Sequence, residues 1–186
     1  MATRKKRASA PRRTSFVFPP EAAAALEAIR LRTYIDDDAD VIRIALSVYD
    51  NLLHLAELHC AIAVCDKRGQ NWAFSPYTRF TYPGLTNATA DKRANAKKNR
   101  SKNFFFSGEA VNRLDSIRAR SETRTNADAI RLALTIFNQL VQIYSAGDHV
   151  VVRASDGEES YFNVFNPQSR QVICSRARDA AEAAVA

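Results

Sequence analysis

The stretch TNADAIRLAL, residues 125–134, has a near twin in DDADVIRIAL, residues 37–46. Sliding the chain on itself by 88 residues aligns 15–53 with 103–141 without a gap, and 15 of those 39 positions are identical. Phe16/Phe104, Phe18/Phe106, Leu26/Leu114, Ile29/Ile117, Ile42/Ile130, Arg43/Arg131 and Leu52/Leu140 are among them, and the register persists to Gly69/Gly157 and Phe74/Phe162. Helices that merely share a hydrophobic pattern do not hold one register this long, so the chain carries an internal duplication.

Each copy reads as strand, helix, helix, hairpin. In TSFVFPPE (14–21) Phe16 and Phe18 share one face of a short strand, and Pro19–Pro20 stop it. In SKNFFFSGE (101–109) Phe104 and Phe106 do the same, with Ser107–Gly108 as the stop. A first helix follows with Ala22, Leu26 and Ile29 on one face, matched by Ala110, Leu114 and Ile117. A second helix opens at Asp37 or Thr125, whose side chains can cap it, and Asp40 or Asp128 suits its first turn in the manner of a capping box. Its expected buried stripe is Ile42, Ala45, Leu46, Tyr49 and Leu52, with Ile130, Ala133, Leu134, Phe137 and Leu140 in the other copy. AIAVCDKRGQNWAF (61–74) and HVVVRASDGEESYFNVF (149–165) are β-branched, then turn at a glycine, then aromatic, which is a hairpin pattern. Trp72, Tyr161 and Phe162 are expected to cover the second helix, with a ligand pocket between the hairpins as the lesser alternative.

A unit of about 40 residues with a lone strand buries too little surface to fold alone. Two copies solve this if their strands pair antiparallel and four helices enclose the phenylalanines. The expected class is α+β, mainly helical. The organisation is a basic, disordered arm (1–12), copy one with its hairpin (13–75), a basic linker (76–100), copy two with its hairpin (101–165) and a tail (166–186) ending in an Ala-rich piece.

A short strand followed by two helices, doubled, with a second-helix start like TNADAIRLAL, resembles the ribbon-helix-helix (Arc/MetJ-type) superfamily of DNA-binding proteins. The resemblance covers about 13–54 and 101–142. It implies a β-ribbon inserted in the major groove, outward side chains reading base edges, and the start of the second helix clamping a phosphate. Carried over, the base readers are Arg13, Ser15 and Val17 with Ser101, Asn103 and Phe105. The clamps are Asp37–Asp38–Ala39 and Thr125–Asn126–Ala127. Those proteins pair two chains, whereas this one would be its own partner. Val17 and Phe105 depart from the polar reader expected. Asp36, Asp37 and Asp38 crowd one clamp with charge that opposes phosphate, whereas Arg124 and Thr125 stand at the other, so copy two should dominate.

Net charge is +7 with a pI near 9.6, and its placement says more than its sum. Arg4, Lys5, Lys6, Arg7, Arg12 and Arg13 precede the first strand and give +6. Lys92, Arg93, Lys97, Lys98, Arg100 and Lys102, less Asp91, give +5 at the second, leaving −4 for the remainder. Both runs fit phosphate contact. Arg43/Arg131 and Arg30/Arg118 recur on the helices and read equally as solvated or phosphate-adjacent.

Other chemistry finds no support. Cys60, Cys65 and Cys174 form no CxxC pair, and so sparse a set suits a reducing compartment. His54, His59 and Cys60 lack one-face metal spacing and have no echo in copy two, so no metal or cofactor is expected. No triad, carboxylate pair or phosphate loop suggests an enzyme. No apolar run reaches the ~18 residues a membrane span needs, and the N-terminal segment lacks a signal peptide's apolar stretch. The expectation is a cytoplasmic, nucleoid-associated protein that binds double-stranded DNA as a transcriptional regulator. The alternatives are an architectural or DNA-transfer accessory of low specificity, and an antitoxin-like module. Self-association or a protein partner through the hairpins stays open.

Overall fold

The computed structural model describes residues 14–18, 20–78 and 102–165. Its elements are β1 (Thr14–Phe18), α1 (Pro20–Thr33), α2 (Asp38–Glu57), β2 (Ala61–Cys65), β3 (Asn71–Ala73), β4 (Lys102–Phe106), α3 (Gly108–Arg120), α4 (Asn126–Ser145), β5 (His149–Arg153) and β6 (Glu159–Tyr161). The class is α+β: four helices and two small antiparallel sheets among the described residues.

β1 and β4 pair antiparallel within the one chain, Phe16 opposite Phe104, Ser15 opposite Phe105 and Val17 opposite Asn103. Phe16 and Phe104 are the positions 88 apart, so the pairing maps onto itself when the copies are exchanged and its pseudo-two-fold axis passes through that pair. The inner rings close edge to face across the ribbon in two matching contacts. Phe16 meets Phe106 with ring centres 5.2 Å apart, and Phe18 meets Phe104 at 5.0 Å.

The same relation holds through the helices. Asp37 and Thr125 cap α2 and α4. Tyr34 and Glu122, again 88 apart, both take φ 55° in the turns that precede those caps. The stripes expected on α2 and α4 are buried, apart from a half-buried Leu46. So are Val41, Val48, Leu53 and Leu55, with Ala129, Ile136, Val141 and Ile143 in the other copy. A single stripe does not describe these helices, because α2 and α4 pack on each other, on α1 and α3, and on a sheet.

That sheet joins the two hairpins. Its order is β3-β2-β5-β6, with β2 against β5 and Ala63 opposite Val151, also 88 positions apart. The turns match, Asp66 N donating to Gln70 O at 3.0 Å and Ala154 N to Glu158 O at 2.9 Å, each around a positive-φ glycine (Gly69, Gly157). Ile62, Val64, Phe74, Val150, Val152 and Phe162 are buried on its inner face. The two hairpins thus complete one sheet. Tyr161 is a correction. Strand alternation turns Phe162 in and Tyr161 out, so Tyr161 is 71% exposed and meets His149 edge to face instead of covering a helix. Trp72 is half-buried against the core as expected. Cys60 is buried just before β2, and Cys65 is half-buried at the end of that strand. No helix among the described residues is long and apolar enough to cross a membrane.

Candidate nucleic-acid interface

With Phe16, Phe18, Phe104 and Phe106 turned toward the helices, Ser15, Val17, Asn103 and Phe105 form the exposed face of the ribbon. Val17 is 63% and Phe105 72% exposed, a high value for side chains that would otherwise be buried. Cross-strand pairing sets them as two rows, Ser15 beside Phe105 and Val17 beside Asn103. Arg13 and Ser101, the other two expected readers, lie outside the described residues, as do Arg4, Lys5, Lys6, Arg7, Arg12, Lys97, Lys98 and Arg100. The backbone of Lys102 pairs with Phe18 in the ribbon.

Each second-helix start sits against the other copy's strand. Ala39 and Arg43 line a crevice with Asn103, Phe104, Phe105 and Phe106, and Ala127 and Arg131 line another with Phe16, Val17 and Phe18. Two guanidinium groups thus flank the ribbon, one at each strand. The sequence offered their recurrence as a signal, but only the crossed packing shows where they go. Each is held by an acid one turn back. Arg131 Nη1 lies 2.8 Å from Asp128 Oδ1, Arg43 contacts Asp40 likewise, and both side chains remain more than half exposed.

The two caps differ in charge. In copy two the Thr125 hydroxyl accepts from Asp128 N at 3.1 Å and donates to Asp128 Oδ2 at 2.7 Å. That hydroxyl, with Arg131 adding to it, holds the Asp128 carboxyl below the usual carboxylate range. In copy one Asp37 accepts from Ala39 N at 3.2 Å. A carboxylate at the cap has no proton to donate to Asp40, so the reciprocal arrangement forms in copy two alone. Arg30 draws the acidic turn back onto α1, with Nη1 donating to Asp36 O at 3.1 Å and Nε 3.6 Å from Asp38 Oδ1. In copy two Asn126 Nδ2 donates to Asp115 Oδ1 at 2.9 Å, which ties its side chain to α3, while Arg124 stands exposed just before the cap. Arg118 lies 3.9 Å from the same Asp115.

The described residues hold 12 Lys and Arg against 17 Asp and Glu, a net −5. The remaining residues hold 15 against 3, a net +12, which together restore the chain's +7. The described residues alone are therefore acidic, and the positive charge is concentrated in 1–13 and 79–101 of the sequence. Comparison with known proteins finds no matching family model, curated protein or solved structure.

Proposed function

We propose that this chain binds double-stranded DNA as a self-paired ribbon-helix-helix protein, with the outer face of the β1–β4 ribbon in the major groove. One observation carries the reading: a single chain supplies both strands of a two-stranded ribbon whose outer face is exposed while the four phenylalanines of its inner face pack on the core. A major groove admits such a ribbon. The start of α4 and Arg131 stand beside one strand, and the start of α2 and Arg43 beside the other, where phosphates flank the groove. Because the body is net −5, attraction to the duplex falls to the basic residues before each strand.

Transcriptional regulation is the first reading of what such binding serves. A second is low-specificity architectural or DNA-transfer work, favoured by the exposed Val17 and Phe105. These offer a thymine methyl an apolar contact but no hydrogen bond to a base edge. Selection of bound fragments from random duplex DNA by the purified full chain tests both. A recovered asymmetric motif supports the first, unselective retention supports the second, and no salt-dependent retention at all removes DNA binding.

A further inference from the structure

The two crevices beside the ribbon occupy positions related by the repeat, yet they are unlike. The one between β1 and α4 has a volume of about 10 Å³. The one between β4, α3 and α2 has about 570 Å³, within the range of small-molecule sites. The difference shows in the walls. Leu46 is half-buried where its counterpart Leu134 is buried, and Phe106 is half-buried where Phe18 is buried. On the closed side α1 packs more extensively on α4 than α3 does on α2, consistent with the small Ala25 standing where α3 carries Arg113.

We propose that the larger crevice binds one amphipathic organic anion per chain, a hydrocarbon or aromatic body bearing a carboxylate. Its floor is apolar, from Ile42, Leu46, Phe104, Phe106, Leu114 and Ile117, and among the described residues no acidic side chain lines it. The two charged residues that line it among those described are both cationic, Arg43 and Arg113. Arg113 Nη2 lies 3.7 Å from Asp50, a carboxylate that Arg120 holds more closely, and the Arg113 side chain stays 60% exposed. A single cavity with an apolar interior and guanidinium groups at its edge selects a tail and an acidic head together. Phe104 and Phe106 are also the inner side chains of β4, whose outer neighbours Asn103 and Phe105 form the ribbon face. An occupant would press on the strand from behind, which makes the crevice an effector site for DNA binding; that consequence, unlike the binding itself, rests on the DNA reading.

Calorimetric titration of the full chain with dodecanoate, and with dodecanol as its uncharged counterpart, tests the site. The expected result is saturable binding of one dodecanoate per chain. It should weaken about tenfold or more in Arg43→Gln/Arg113→Gln and in Leu46→Trp, which fills the cavity. Should Leu46→Trp fail to melt cooperatively, Ser47→Phe fills the same wall from its half-buried edge. No saturable binding, two molecules per chain, equal binding of dodecanol, or unchanged affinity in a folded filling variant would each overturn the proposal. A chain that takes up dodecanoate but never a duplex overturns the DNA reading and leaves this site standing. A chain that binds duplex but not dodecanoate does the reverse.

Discussion

Arg120 at the end of α3 forms an ion pair with Asp50 in the middle of α2, and the pseudo-equivalent places hold Arg32 and Asn138, whose Nη1 and Oδ1 lie 3.0 Å apart. The copies are thus stitched twice at one geometry, once by charge and once by a neutral amide. Removing one partner of a buried pair costs about 3–5 kcal/mol. With the Arg120 side chain 25% exposed and a second acid, Glu57, 3.6 Å away, about 2 kcal/mol is expected for Asp50→Ala. Asp50→Asn copies the arrangement at Asn138 and should recover at least half of that. Urea denaturation of the three proteins checks the order, and equal losses for Ala and Asn would contradict it.

Tyr49 is fully buried where copy two has Phe137, and among the described residues its hydroxyl has no hydrogen bond of full geometry, with Ser121 its polar neighbour. Tyr49→Phe should therefore be neutral or stabilising by about 1 kcal/mol, since an orphaned buried hydroxyl is costly. Loss of more than that amount would show a bond to the neighbouring Ser121.

Burial pushes the phenols of Tyr49 and Tyr144 up to about 12 from an ordinary 10.0. A raised folded-state pKa favours the protonated folded chain. The contribution is complete below pH 10.0 and is lost as pH climbs toward about 12, where the unfolded chain releases protons the folded one keeps. Thermal midpoints should fall across that interval, and Tyr49→Phe/Tyr144→Phe should flatten the fall. An unaltered alkaline fall in the double variant would assign it elsewhere.

The acidic cap of copy one should be the weaker half of the DNA contact. Asp36→Arg installs the residue that copy two has at Arg124 and removes a like charge near the groove. Affinity for duplex should rise several-fold at low salt, with the gain shrinking as salt increases. No gain at low salt would count against a phosphate at this helix start.

Much of this architecture was legible because a repeat reports long-range structure that local periodicity cannot. The pairing of Phe16 with Phe104 followed from two strands too short to stand alone, and the caps at Asp37 and Thr125 followed from their side chains. The union of β2 with β5 was hidden: each hairpin signals its own turn, and nothing local says which outer edge meets which. Tyr161 was misplaced because adjacent aromatics in one strand cannot share a face. The flanking positions of Arg43 and Arg131 depend on each helix crossing to the other copy's strand, and the open crevice depends on how close α3 comes to α2, neither of which a linear pattern records.

Fluorescence anisotropy of a labelled duplex, titrated with the full chain from about 50 mM to about 200 mM salt, tests the central claim most directly. One chain should bind per site, with an affinity whose log–log dependence on salt reflects about 0.9 per phosphate contacted. The Ser15→Ala/Asn103→Ala/Phe105→Ala variant should bind its selected site at least about tenfold more weakly at an unchanged salt slope. Deletion of residues 1–12 should lower the slope instead. Full affinity in the triple variant, or no salt-dependent binding by the intact chain, would contradict a DNA-binding ribbon built from one molecule.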